Sequence, residues 1–224
     1  MLMRTAPHTG SSSRTSHTPS GSHETTGLIE EMGAQIPFAR NAEIYGEGEP
    51  AEYVYKLVHG TVRTSKILAD GRRQIGAFYL PGDVFGLEAG DEHAFSAEAI
   101  SEVRVIVARR SAILIRAARD SSVAQELLSA TAHELRRMQE HLLLLIKSAE
   151  ERVAGFLLEM AARSRSLQVV ELPMSRQDIA DYLGLTIETV SRTFTQLESS
   201  CAIAVPTARR IELRNRSALA KLNS

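Results

Sequence analysis

The chain has 224 residues, 43% of them hydrophobic and 24% charged, with 26 Lys and Arg against 27 Asp and Glu for a net charge of −1. That length supports one large domain or two small ones with separate cores, and the balanced charge excludes a chain that is basic throughout. The longest apolar run, Leu142 to Ile146, falls far short of a bilayer span, and no leader with a small-residue cleavage site is evident, so a cytoplasmic protein without membrane contact is expected.

Residues 1–27 are rich in Ser, Thr, Gly and His and nearly free of large apolar side chains, so burial cannot offset the entropy of ordering them. A disordered tail is expected. His8, His17 and His23 fall there at irregular spacing, and no metal site is expected from them.

Residues 28–120 are expected to form a β domain. From about Ile44 to Ala108 the segments are short, dense in β-formers and punctuated by turn signals at Gly60, Asp70-Gly71 and Pro81-Gly82. Strands at such close intervals predict an antiparallel β-roll, barrel or sandwich.

Between Ser122 and Ala149 there is no proline or glycine. Leu128, Leu135, Leu142 and Ala149 share one heptad position, and Thr131, Met138 and Leu145 the complementary one. A helix over 121–149 would be about 40 Å long at 1.5 Å per residue. It outruns a small domain, and the same helix of a second subunit is the simplest cover for its leucine stripe. A homodimer is expected.

The remaining residues, 150–224, carry a mild basic excess: from Met160 to Lys221 there are nine Lys and Arg against six Asp and Glu. "AEERVAGFLLEMAARS" predicts an amphipathic helix and "LQVVELP" a short strand. Ser175 with Asp178 reads as a capping-box start, Gly184 as a left-handed stop, and Thr186 as the cap of a second helix. "CAIAVPTARRIELRN" predicts a β-hairpin and "RSALAKL" a last helical turn or two. Helix, tight turn, helix and hairpin make a winged helix-turn-helix.

In that plan Ile179, Ala180 and Leu183 face Val190, Phe194 and Leu197, which leaves Glu188, Ser191 and Arg192 on the outer face near the amino end of the second helix. A salt bridge stabilising a solvated helix by about 0.2–0.5 kcal/mol would account for a Glu–Arg pair at this spacing. Base reading accounts for it better, because arginine pairs with guanine O6 and N7 and glutamate accepts from cytosine N4. Double-stranded DNA is the expected partner. No paired carboxylates, nucleophile–base arrangement or metal cluster is present in the sequence pattern, so the chain does not read as an enzyme.

"MSRQDIADYLGLTIETVSRTFTQLE" resembles the helix-turn-helix of the cyclic-AMP receptor / FNR superfamily of bacterial transcription regulators. Its E-x-x-S-R pattern is that of the FNR and FixK branch. "AEIYGEGEPAEYVYKLVHGTVR" is similar to the opening of the superfamily's β-roll and "LPGDVFGLEAG" to the turn before its effector pocket. The resemblance implies an α+β architecture: an N-terminal jelly-roll-like β-roll, a dimerisation helix and a C-terminal winged helix-turn-helix. It implies a regulator, of activator type and working with RNA polymerase, that binds palindromic TTGAT-like half-sites. Glu188 and Arg192 would contact a G·C pair and Ser191 a neighbouring thymine. Ile187, where the cyclic-AMP receptor has an arginine, would touch a thymine methyl. Arg176, Thr186 and Thr189 would hold phosphates.

The superfamily's cyclic-nucleotide signature is incomplete: Ser96 stands where its serine would be, but Phe95 replaces the arginine that partners the phosphate. An FNR-type iron–sulfur cluster needs four thiolates, and Cys201 is the only cysteine, which fits a reducing compartment. No cofactor is therefore expected, although a roll that binds some other small effector is an alternative. His59, His93, His133 and His141 read as surface or packed residues. Cys201 reads as a small packed residue at a strand start, with a redox handle as the second possibility.

Overall fold

A computed structural model describes residues 26–164, 166 and 168–223. The first segment is a short helix, α1 (Thr26–Met32), so Thr26 and Gly27 of the expected tail are helical, while the rest of that tail and its three histidines lie outside the described residues.

Eight strands follow: β1 (Ala34–Phe38), β2 (Glu43–Tyr45), β3 (Tyr53–His59), β4 (Val62–Ile67), β5 (Arg73–Tyr79), β6 (Val84–Phe85), β7 (Ser96–Ala99) and β8 (Val103–Arg109). They form two four-stranded antiparallel sheets, ordered β1-β8-β3-β6 and β2-β7-β4-β5. The roll begins ten residues earlier than its alternating stretch suggests, with Ala34 rather than Ile44. Pro37 obscures β1 in the sequence; it is tolerated because β1 is an edge strand. The Asp70-Gly71 signal joins β4 to β5, with Gly71 at φ +82°. Tyr45, Leu57, Val62, Tyr79, Phe85 and Val105 fill the space between the sheets.

After α2 (Arg110–Ala117) comes the long helix α3 (Ser121–Leu145), opened by Asp120, whose carboxylate accepts from the Ser122 N–H. It stops four residues short of the expected end. Ala149, placed in the heptad series, instead starts α4 (Ala149–Arg163). The cause is local: Ser148 and Glu151 form a capping box, and a new helix start interrupts the old one. The rest of the series lies as expected, with Leu128, Leu135, Met138 and Leu142 at 70, 56, 60 and 63% exposure. Thr131 is exposed too and donates to the Leu127 carbonyl at 2.9 Å. Leu145 is half-buried and lies beside the turn at Gly184.

The C-terminal unit runs β9 (Val169–Glu171), α5 (Arg176–Leu183), α6 (Ile187–Ser199), β10 (Ile203–Thr207), β11 (Arg210–Leu213) and α7 (Arg216–Asn223), with the strands ordered β10-β11-β9. Its core continues into the roll: Ile75 and Phe78 of β5 belong to the same buried cluster as Phe156, Ile179, Tyr182 and Phe194. The roll and the helical unit thus share apolar contact along β5. Arg137 of α3 lies over the Tyr79 ring at 4.7 Å and pairs with Glu134 and Asp83, and Arg163 of α4 also pairs with Asp83. These arginines fasten α3 and α4 to the roll's side.

Candidate nucleic-acid interface

The helix-turn-helix is defined by its caps. Ser175 Oγ accepts from the Asp178 N–H at 3.0 Å, while Asp178 Oδ2 accepts from the Ser175 N–H at 3.0 Å, closing the start of α5. Gly184 at φ +62° ends that helix, and a side chain there would be strained whatever the space around it. Thr186 then caps α6 by accepting from the Thr189 N–H at 3.2 Å. All six expected core residues (Ile179, Ala180, Leu183, Val190, Phe194 and Leu197) are buried.

The opposite face of α6 carries the expected readers. Ile187, Glu188, Ser191 and Arg192 are all exposed. No hydrogen bond or ion pair joins Glu188 to Arg192 among the described residues. The Glu188 carboxyl is held below its usual range by its own backbone N–H and then by the Thr186 hydroxyl. It is therefore ionised at neutral pH, with a helix amino terminus behind it. An exposed acceptor and an exposed fork of donors, not joined to each other, lie one helical turn apart.

The phosphate candidates are less uniform. The hydroxyls of Thr186 and Thr189 lie 3.1 Å apart and are hydrogen-bonded to each other. Arg176, the first residue of α5, is half-buried with its guanidinium 3.4 Å over the Phe194 ring. Burial lowers its pKa, and Nη1 has no hydrogen-bond partner among the described residues.

Cys201 departs from its expected packed position. It is exposed and lies two residues beyond the last residue of α6, in the left-handed region at φ +57°. Its backbone N–H closes the helix end on the Glu198 carbonyl at 2.9 Å. The strand begins two residues later, at Ile203, and Ala202 takes the buried position.

One group of residues escaped the sequence reading. Asp178 and Asp181 of α5 meet Arg63 and Arg73 of the roll, at 2.6 Å for Arg63–Asp178, 2.7 Å for Arg73–Asp178 and 2.6 Å for Arg73–Asp181. Burial opposes the charge on Arg73, but Asp181 and Asp178 hold its pKa above the usual range. Burial likewise opposes ionisation of Asp178, which Ser175, Arg63 and Arg73 outweigh. The i, i+3 spacing of the two aspartates was visible; their partners lie more than a hundred residues away.

Inside the roll, Phe95 packs on Gly76, and the Ser96 hydroxyl accepts from the Glu47 N–H at 2.9 Å. Tyr45, Tyr55, Phe85 and His93 form one ring cluster, with Tyr45 and His93 stacked at 3.6 Å. His141 of α3 is packed as well, 4.0 Å from the Tyr182 ring, whereas His59 and His133 are exposed. No group of three or more His, Cys, Asp or Glu placed to hold a metal occurs among the described residues, and no described helix is long and apolar enough to cross a membrane.

Known proteins share this arrangement. Residues 151–222 match the Crp-like helix-turn-helix domain and residues 35–120 the cyclic nucleotide-binding domain. A nitrogen fixation regulation protein FixK of Azorhizobium caulinodans is 52% identical over 203 residues, which is 88% of this chain and 82% of the relative. A FixK of Rhizobium meliloti is 43% identical, covering 80% of this chain and 82% of its own. The solved structure of FixK2 from Bradyrhizobium japonicum has a TM-score of 0.83 at 52% identity, over 86% of this chain and 98% of that one. These relatives are regulators rather than enzymes, and they run through both domains and the helix between them. The chain belongs to the cyclic-AMP receptor / FNR superfamily of DNA-binding transcription regulators, in its FixK branch.

Proposed function

We propose that the protein is a homodimeric activator that binds palindromic DNA with TTGAT-like half-sites, one α6 entering the major groove at each. Arg192 and Glu188 read a G·C pair, and Ser191 and Ile187 touch neighbouring thymines. Arg176, Thr186 and Thr189 face phosphates and fix the register. The observation that carries this reading is the exposed, mutually unpaired Glu188 and Arg192 on the first half of a helix whose other face is core. Exposed Leu128, Leu135, Met138 and Leu142 support pairing of α3 with its copy, which Thr131 and Leu145 extend.

The domains of this reading are the roll at 28–120, the dimerisation helix α3 at 121–145, and the DNA-binding unit from the start of α4 at Ala149 to residue 224. The roll works without cyclic AMP, a view supported by Phe95 in place of a phosphate partner and by the ring cluster around Tyr45. It works without an iron–sulfur cluster, since one cysteine cannot supply four thiolates. RNA polymerase is the partner at the promoter, the cytoplasm is the site of action, and the relatives' names make nitrogen-fixation genes the first targets to examine.

The test is selection of bound sequences from a random duplex pool by the purified protein. A palindrome of TTGAT-like halves is the expected product. Enrichment of unrelated or non-palindromic sequences would overturn the reading.

A further inference from the structure

Helix α5 packs against both the recognition helix and β5 of the roll. One side of α5 packs on α6 through Ile179, Ala180 and Leu183, and another meets the β4–β5 hairpin. What grips α5 therefore bears on the angle at which α6 is presented, beside the packing of α6 on α4.

That grip is ionic and largely desolvated. Asp178 divides its carboxylate between two tasks: Oδ2 closes the start of α5 on Ser175, and Oδ1 accepts from Arg63 Nη1 at 2.6 Å and Arg73 Nη2 at 2.7 Å. Arg73 Nε donates to Asp181 Oδ2 at 2.7 Å, and Arg63 Nη2 donates to Glu98 Oε2 at 2.7 Å. Gln74 adds a longer bond to the Tyr182 carbonyl, 3.4 Å. The Asp178 side chain is 6% exposed and that of Arg63 12%.

Such a network is a poor device for stability alone, because desolvating charges costs about as much as pairing them returns. Here the pairing is also incomplete, as Arg63 Nε is buried without a partner among the described residues. Its geometry is what it supplies. Two planar forks meeting two carboxylates on one helix face fix the rotation of that helix, which an apolar contact such as Phe78 on Tyr182, 5.1 Å apart, does not.

We propose that Arg63 and Arg73 are positioning residues for DNA reading: by holding Asp178 and Asp181 they fix the angle of each α6, and so the half-site spacing the dimer accepts. This rests on the DNA reading of α6 given above. The roll thereby sets specificity with no bound effector, and it does so from residues that touch no base. A loosened head still meets a single half-site but samples a range of separations from its twin.

The test compares the full-length protein on three duplexes: the selected palindrome, the same halves with two base pairs inserted between them, and one half-site alone. Wild type should prefer the first strongly. Arg73→Glu should lower the ratio of affinities for the first two duplexes by about tenfold, within the usual range of coupling between sites, and leave the single half-site nearly unchanged. Asp181→Arg added to Arg73→Glu should restore the ratio. If Arg73→Glu does not fold, Arg73→Gln and Asp181→Asn remove the same pair more gently. An unchanged spacing ratio in these variants overturns the proposal, and so does a uniform loss on all three duplexes that tracks a lower Tm. A wild type with no sequence preference at all would instead overturn the DNA reading beneath it.

Discussion

The guanidinium of Arg176 lies 3.4 Å over the ring of Phe194, joining the first residue of α5 to the core face of α6. The residue expected to hold a phosphate thus also braces the two helices of the DNA-binding unit. Arg176→Ala should lower Tm through loss of a cation–π contact, worth about 0.5–2 kcal/mol. It should also weaken specific and random DNA alike and reduce the salt slope by about one counterion. Arg176→Lys keeps the charge but not the stacked plane, so it should retain more of the salt slope than of the stability. Thermal melts beside binding at several salt concentrations separate the two roles. A slope unchanged in both variants would leave Arg176 as a brace only.

Arg192→Ala tests base reading rather than electrostatics. Its side chain is exposed and unpaired, so its removal should leave Tm unchanged. Affinity for the selected site should fall by about 1–3 kcal/mol, with little change on random duplex. Fluorescence anisotropy with both duplexes at one salt concentration reads the difference. An equal loss on the two would mean that Arg192 holds a phosphate instead.

The readers on α6 were legible because the whole unit announces itself locally. Ser175 with Asp178, Gly184 and Thr186 mark three helix ends within a dozen residues, and once those are set the buried and exposed faces follow from helical period. The break at Ile146–Ser148 was equally local, in the Ser148–Glu151 capping box, but the heptad series running on to Ala149 masked it. Cys201 was misplaced because its neighbours suggest a strand, and nothing in the residue type announces a left-handed helix end. The Arg63–Asp178 and Arg73–Asp181 pairs lie beyond local reading altogether, since only the packing of β5 on α5 brings them together.

Leu135 and Leu142 expose more than half of their surface in the single chain, so charge there should not unfold it. Leu135→Asp with Leu142→Asp should yield folded monomers by light scattering, with melting near that of wild type. Affinity for the palindrome should collapse, because half-sites about 34 Å apart need two coupled heads. A dimer that survives both changes would place the subunit contact elsewhere.

His141 makes stability depend on pH in a fixed direction. Burial against Tyr182 pushes its pKa down to about 4 from the ordinary 6.5, and its Nδ1 lacks a partner among the described residues. The unfolded chain takes up a proton at this site below pH 6.5 that the folded chain refuses until about pH 4. The imidazole's contribution is therefore fully present above 6.5, is lost progressively as pH falls toward 4, and changes no further below that. His141→Phe, which keeps an aromatic ring on Tyr182, should flatten Tm across this window. A wild-type and variant profile that run parallel from pH 7 to 4 would mean that the ring is hydrated.

Cys201 supplies the last test, and its backbone supplies the control. A non-glycine residue at φ +57° carries strain on the order of 1 kcal/mol, so Cys201→Gly should raise Tm, whereas Cys201→Ser should not. Both remove the thiol. An exposed thiol two residues beyond the end of the recognition helix is open to peroxide, and the sulfenic acid formed there, or a mixed disulfide made from it by a small thiol, adds bulk or charge at the carboxyl end of that helix. Peroxide should therefore weaken operator binding by wild type and spare both variants, and a reducing thiol should restore it. Equal loss in all three proteins would trace the damage to other residues, the methionines first.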